Sequence, residues 1–215
     1  MDKKYYFFDL DGTLTESGEG ILNSARYALG VMGYPIPPKE TLRKFIGPPL
    51  KDVFMSQYGM DEKTASEAVA TYRQYFAEKG IFENRLYDGI KELLEKMYKA
   101  GKKIILCTSK PEKFSLQILE RFGIQEYFHF IAGAVMDGVR ARKPEIIGHI
   151  FDTLHLPKEE CVMIGDTEYD VLGAKEFSIT SVGVLYGYGT RESLEKAGAD
   201  YLALNTHELY KLIFD

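Results

Sequence analysis

Phe7-Phe8-Asp9-Leu10-Asp11-Gly12-Thr13-Leu14-Thr15 places two carboxylates two residues apart, where an apolar run meets a glycine turn. Side chains along a strand repeat every two residues, so Asp9 and Asp11 leave the strand end on the same side. Like charges crowded there raise each other's pKa unless a cation lies between them. The economical reading is a bound divalent metal and a reaction at one of the two carboxylates.

Outward from this turn the pattern divides the chain. Residues 16–85 show no period-two run and read as helix. Ile21, Leu22, Ala25, Leu29 and Met32 recur at helical spacing and stop before Pro35, Pro37 and Pro38. Leu42, Phe45 and Ile46 predict a short second helix ending at Gly47-Pro48-Pro49, and Leu50, Val53, Phe54 and Tyr58 a third. Asp61 is the expected cap of a fourth, with Ala65, Val69, Tyr72 and Phe76 on its apolar face.

From Leu86 onward strands and helices alternate. Asp88 is the expected cap of a helix bearing Ile90, Leu93, Leu94 and Met97, and Gly101 stops it. Lys103–Thr108 reads as a buried strand, and Pro111 suits the first turn of a helix through Arg121. Phe130–Ala132, Cys161–Ile164 and Thr180–Val184 follow as short strands. Near-continuous apolar strands separated by helices predict an α/β fold, a Rossmann-like parallel sheet covered on both faces. Its connections should be right-handed and its ligand crevice should lie at the strands' carboxyl ends. The expected division is a core of residues 1–15 and 86–215, with a small all-helical cap of residues 16–85 inserted after the first strand. Hinges are expected near Thr15–Gly18 and Asn84–Tyr87, on the edge that carries Asp9 and Asp11.

Composition narrows the function classes. With 215 residues, 45% hydrophobic and 27% charged, the chain can build one core and a sizeable insertion. A net charge of −5 argues against a nucleic-acid scaffold, which needs clustered Lys and Arg, yet leaves room for a small phosphorylated ligand. Cys107 and Cys161 lie in apolar runs without a spacing motif, which suggests packing roles in a reducing, cytoplasmic setting. The apolar run at the amino terminus is too short for a signal peptide, and no run approaches the roughly 18 apolar residues of a membrane span. No membrane or nucleic-acid partner is expected, and nothing in the sequence reads out an oligomeric state.

Four segments fall at the carboxyl ends of expected strands: Asp9 to Thr13, Thr108-Ser109-Lys110, Lys143-Pro144 and Gly165 to Asp170. Each alone is weak; a lone Asp-x-Asp is often a solvated turn, and Thr108-Ser109 could simply cap the following helix. Arg140 and Arg142 compete with Lys143. The histidines, His129, His149, His155 and His207, show no metal-ligand spacing. Tyr186 and Tyr188 follow the last core strand and could reach the site.

In order and position the set resembles the haloacid dehalogenase superfamily, in its phosphatase branch. That family's motifs are Asp-x-Asp-x-Thr, a strand-ending Thr or Ser, a Lys usually before Pro, and Gly-Asp-x-x-x-Asp. They correspond here to Asp9–Thr13, Thr108 or its neighbour Ser109, Lys143-Pro144, and Gly165–Asp170. Members resembling phosphoglycolate phosphatases and cytosolic 5′-nucleotidases look most similar, including the helical cap after the first motif. The chain departs from their pattern at Glu16, where an Asp is usual, and at Glu145-Ile146, where a second proline is usual.

The resemblance implies Mg2+-dependent hydrolysis of a small phosphorylated metabolite. Asp9 is then the nucleophile that forms an aspartyl-phosphate, and Asp11 the acid and base that serves the leaving group and then water. Mg2+ falls to a carboxylate oxygen of Asp9, the main-chain carbonyl of Asp11, Asp166 and Asp170, the last either as a ligand or as a group orienting the shell. Thr108 and Lys143 hold the phosphoryl oxygens, with Gly12 and Ser109 close by, and Arg43 is a candidate substrate contact from the cap. The cap is expected to close over the substrate and exclude water. A phosphomutase of the same fold uses the same acids, and a catalytically silent regulatory or binding module is the other alternative.

Overall fold

Tyr6, Phe7 and Phe8 are wholly buried, and the strand they form, β1 (Tyr5–Phe8), runs through the middle of a six-stranded sheet. A strand covered on both faces needs apolar side chains in both directions, which this run provides. The computed structural model describes residues 1–136 and 140–215. They form two compact units: Met1–Thr15 with Leu86–Asp215, and Glu16–Arg85. A short strand, β2 (Thr15–Glu16), marks the first crossing between them.

Within Glu16–Arg85 the order is α1 (Gly18–Val31), α2 (Lys39–Leu42), a 3-10 turn at Arg43–Phe45, α3 (Leu50–Tyr58) and α4 (Glu62–Tyr75), which runs on as a π turn through Phe76–Gly80. The Asp61 carboxylate accepts from the Thr64 N–H at 2.7 Å and caps α4. The apolar face of α1 buries Ile21, Leu22, Ala25, Ala28 and Leu29, and the helix packs on α4. Phe45, Phe54 and Tyr58 meet ring to ring at 4.8 to 6.3 Å and tie α3 to the 3-10 turn. The expected second helix is thus split: α2 ends at Leu42, and Ile46 is already extended.

After β3 (Arg85–Leu86), which pairs with β2, the chain alternates: α5 (Ile90–Lys99), β4 (Lys103–Pro111), α6 (Glu112–Arg121), β5 (Phe128–Ala134), α7 (Lys143–Leu154), β6 (Cys161–Gly165), α8 (Glu168–Glu176), β7 (Thr180–Val184), α9 (Arg191–Ala197), β8 (Tyr201–Ala203) and α10 (Thr206–Phe214). Gly89, not Asp88, holds the cap position of α5; the Asp88 carbonyl instead accepts from the Thr206 hydroxyl at 2.8 Å. Pro111 closes β4 and stands one residue ahead of α6. The edge strand β8 was not foreseen, because three residues, the first of them exposed, carry too little pattern to register.

All neighbours in the sheet, ordered β5-β4-β1-β6-β7-β8, pair in parallel. Phe8, the last residue of β1, lies between Leu106 of β4 and Ile164 of β6. From β5 the chain crosses over β1 to reach β6, so strand order reverses beside β1. In such sheets a crevice opens at the carboxyl ends where the order reverses. One face of the sheet packs Phe7, Ile105, Cys107 and Met163 against Ile146, Ile147 and Ile150 of α7. Among the described residues, no helix is long and apolar enough to cross a membrane.

Candidate active site

Asp9 follows β1 directly, and its N–H still donates to the Ile164 carbonyl at 2.9 Å, so sheet pairing holds its backbone. The chain then folds into a tight turn. The Leu14 and Thr15 N–H groups both donate to the Leu10 carbonyl at 2.9 Å, and the Gly12 N–H donates to Thr15 at 2.8 Å. Gly12 has φ +84°, where a side chain is strained, and a Cβ there would sit 2.1 Å from Asp166 Oδ2. Only glycine serves both needs.

Asp166 follows β6 and is wholly buried. The Thr13 hydroxyl donates to its Oδ1 at 3.2 Å and the Tyr188 N–H to its Oδ2 at 2.8 Å. Asp170 stands in the first turn of α8, where its Oδ2 accepts from the Thr167 N–H at 3.1 Å and hydroxyl at 3.0 Å. Asp9, Asp166 and Asp170 each offer one oxygen, all within 4.8 Å of one another. Among the described residues this is the one group of acids, cysteines or histidines so placed.

Lys143, first residue of α7, reaches into this group. Its Nζ lies 3.0 Å from Asp9 Oδ1 and 2.7 Å from Asp170 Oδ1, and it donates to the Cys107 carbonyl at 2.8 Å. Arg142, exposed, and Arg140, bonded to the Gly133 carbonyl, do not. The Glu145 carboxylate accepts from the Ala141 and Arg142 N–H groups at 2.7 and 2.9 Å, which fixes the helix start that aims Lys143. The residue standing where the family's second proline is usual therefore has a capping task of its own.

Burial and charge pull against each other here. Burial raises the Asp9 carboxyl to about 6, with the charges of Asp170 and Asp11 adding to it, while Lys143 and the Thr108 hydroxyl draw it down. Burial also lifts Asp166 well above the carboxylate range, helped by Asp170 and Asp9 and opposed by the Tyr188 N–H and the Thr13 hydroxyl. Burial disfavours charge on Lys143, but Asp170 and Asp9 outweigh it and hold its pKa above the lysine range.

Three buried carboxylates against one ammonium leave two negative charges to balance. A divalent cation matches that deficit, and an all-oxygen donor set suits a small hard ion. The residues therefore fit a metal such as Mg2+.

Of the residues singled out in the sequence, the structure gathers Asp9, Asp11, Gly12, Thr108, Lys143, Asp166 and Asp170 at the sheet's carboxyl edge. Ser109 is half-buried between the buried Thr108 and Lys110. Arg43 lies exposed in the 3-10 turn of the helical unit. Lys110 carries no role in the motif reading, while Tyr186 and Tyr188 are the pair named from the sequence as able to reach the site. Lys110 makes a buried ion pair with Asp11 at 2.8 Å. The loop Tyr186-Gly187-Tyr188 lines the acids: besides the Tyr188 N–H, the Tyr186 hydroxyl donates to the Thr13 carbonyl at 3.0 Å. Burial, first, and the Asp166 charge push the Tyr186 phenol above its usual range, so it stays a donor. The Thr-x-Lys spacing was the available signal for Lys110.

Residues 6–184 match the sequence profile of a family described as haloacid dehalogenase-like hydrolase. The chain is 44% identical over 187 residues to a 5′-nucleotidase of Pseudomonas aeruginosa, covering 87% of this chain and 85% of that one. It is 39% identical over 189 residues to the tyrosine-protein kinase PtkA of Mycobacterium tuberculosis, covering 88% of this chain and 64% of that protein. A phosphoglycolate phosphatase of Vibrio parahaemolyticus is 29% identical over 221 residues, covering 99% and 97%. A crystal structure of a predicted phosphatase from Clostridium acetobutylicum superposes with TM-score 0.95 at 44% identity, covering 99% of this chain and 98% of that one.

Proposed function

Because the chain belongs to the haloacid dehalogenase-like hydrolase family and is a phosphatase of it, we propose that it hydrolyses a small phosphate monoester with Mg2+, through an aspartyl-phosphate on Asp9. The observation that carries this reading is the close approach of one oxygen each from Asp9, Asp166 and Asp170, beside Lys143.

A carboxylate oxygen of Asp9 attacks phosphorus, the phosphorus–oxygen bond to the leaving group breaks, and Asp11 gives that oxygen a proton. Asp11 then takes a proton from water, which attacks the aspartyl-phosphate and frees phosphate and Asp9. Lys143, already at an Asp9 oxygen, and Thr108 hold the phosphoryl oxygens as charge shifts. The Gly12 turn lets Asp166 close against the backbone beside Asp11, and Ser109 lies next to Thr108 for a further contact. Asp9, Asp166 and Asp170, with the Asp11 carbonyl, would hold Mg2+, whose charge would let these acids ionise together and would supply electrostatic stabilisation to the phosphoryl oxygens. Asp170, with both oxygens engaged by Thr167 and Lys143, orients the shell as well as closing it.

The substrate class is a phosphorylated small metabolite such as phosphoglycolate or a nucleoside 5′-monophosphate, a reading supported by the names of the two phosphatase relatives. A cytoplasmic setting is supported by two buried cysteines that remain unpaired. The test is phosphate release, with Mg2+ and with chelator, across phosphoglycolate, nucleoside monophosphates, sugar phosphates and pyrophosphate. Mg2+-dependent release from one class, abolished in a folded Asp9→Asn, is the expected result. Wild-type turnover by Asp9→Asn rules out the aspartyl-phosphate.

A further inference from the structure

The two acids of the first turn do not share one counter-charge. Lys143 is committed to Asp9 and Asp170. Asp11 has a separate lysine: Lys110 Nζ lies 3.0 Å from Asp11 Oδ1 and 2.8 Å from Oδ2. Both side chains are largely out of solvent, 6% exposed for Lys110 and 12% for Asp11. A single ammonium bonded to both carboxylate oxygens restrains rotation of the Asp11 carboxylate about its last bond, which a contact to one oxygen does not.

The strand places Lys110 for this contact. β1 and β4 are neighbours paired as far as Phe8 and Leu106, so the turn that carries Asp11 and the end of β4 that carries Lys110 leave the same edge of the sheet from adjacent strands. Beyond Thr108 the pairing of β4 with β5 slips, Thr108 lying opposite Gly133 and Pro111 opposite Ala134. Such an irregularity bends a strand and re-aims its side chains. The Lys110 N–H donates to the Thr108 hydroxyl at 3.3 Å, so the bent segment is tied to a residue already at the site.

We propose that Lys110 is a positioning residue that fixes the orientation of the Asp11 carboxylate for proton transfer to the leaving group and from water. The proposal rests on the role given to Asp11 above. Each carboxylate oxygen keeps a lone pair free while it accepts from Lys110, so the pair can persist while Asp11 works. A misplacement of about 1 Å at a reacting group can cost on the order of 10²-fold in rate, which sets the scale of the effect.

The experiment compares wild type, Lys110→Met, Lys110→Arg, Asp11→Asn and the double variant, each checked for folding by circular dichroism and melting temperature. The substrates are p-nitrophenyl phosphate and the best alkyl phosphate from the panel. Lys110→Met is expected to lower kcat on the alkyl ester on the order of 10²-fold with KM within about threefold, and to lose less on the aryl ester's first step, whose leaving group needs no proton. Rapid mixing with the aryl ester should then show a nitrophenolate burst as the aspartyl-phosphate waits for Asp11 to activate water. Lys110→Arg should recover part of the loss. In the Asp11→Asn background Lys110→Met should have little further effect, as expected of residues that act as a unit. Multiplying losses, a loss confined to KM, or an equal loss on both esters without a burst would overturn the proposal. So would a folded Lys110→Met, or a folded Lys110→Gln should the methionine variant not fold, that turns over like wild type. If wild type itself releases no phosphate from any ester, the phosphatase reading of the site has failed and this proposal fails with it; wild-type turnover with additive variants overturns the role of Lys110 alone.

Discussion

Gly187→Ala should damage activity although it adds one methyl group to a loop. The glycine is not in the left-handed region, so backbone strain is not the reason. A Cβ built there lies 2.3 Å from Asp166 Cβ, 2.3 Å from the Gly12 carbonyl oxygen and 2.5 Å from Asp166 Oδ2. Comfortable contact between such atoms is about 3.5 Å, so something must retreat by roughly 1 Å. The obstructing atoms cannot swing aside: one is backbone of the tight turn after β1, and Asp166 is held at both oxygens by Thr13 and Tyr188. Overpacking of this kind costs about 1–3 kcal/mol, or a melting temperature lower by about 2–12 °C for a chain this size. Moving Asp166 or Gly12 by that distance should lower kcat/KM on the order of 10²-fold, about 2.7 kcal/mol of barrier. The assay is Mg2+-dependent hydrolysis of p-nitrophenyl phosphate beside a thermal melt. Gly30→Ala is the control, since the nearest atom to its Cβ is Ile36 Cδ1 at 3.6 Å. On a helix such a change should be neutral or stabilising by up to about 1 kcal/mol. A Gly187→Ala protein within threefold of wild-type kcat/KM and melting with it would refute the claim that this loop is pressed against the acids.

Mg2+ at one hundred times its dissociation constant should stabilise the protein by about 2.7 kcal/mol, seen as a melting temperature raised by about 5–11 °C; chelator or Asp166→Asn should remove the shift. Lys143→Met in chelator should unfold at lower urea, by about 3–5 kcal/mol, because it strands buried Asp9 and Asp170 without their ammonium; an unchanged midpoint contradicts the charge balance described for the site. Burial pushes the Cys107 thiol up to about 12 from an ordinary 9. The unfolded chain therefore loses that proton first, and stability should fall as pH rises from 9 towards 12, at up to about 1.4 kcal/mol per unit from this group. Urea midpoints for wild type against Cys107→Ala, whose fall should be shallower, measure it.

The sheet was readable because its strands are buried on both faces, so Tyr6–Phe8, Ile104–Cys107 and Val162–Ile164 announce themselves as unbroken apolar runs. The acids were readable for a related reason. A polar residue that ends such a run must sit at a strand end, and in a parallel sheet those ends converge. That argument brings Asp9, Thr108 and Asp166 together without any knowledge of strand order. It reaches Lys143 and Asp170 less directly, since each stands on a helix, and what aims them is a capping contact, Glu145 to its own helix start and Thr167 to Asp170.

The parts that stayed hidden are those whose meaning depends on register. Lys110 differs from an ordinary strand-end lysine only because β4 runs beside β1 and bends after Thr108. Gly187 differs from an ordinary loop glycine only because the return from β7 passes over Gly12 and Asp166. Tyr186 could be placed near the site from the sequence, but its partner, the Thr13 carbonyl that its half-buried hydroxyl reaches, could not. None of these contacts leaves a periodic trace, since each joins one residue to one atom across the sheet's edge. Yet they act on the same atoms as the readable acids: Lys110 on Asp11, the loop on Asp166. The motif supplies the charged groups of the site, and the unpatterned residues set how tightly those groups are held. The sharpest tests of the site therefore lie at Lys110 and Gly187, where a change leaves every motif residue in place and alters only its freedom to move.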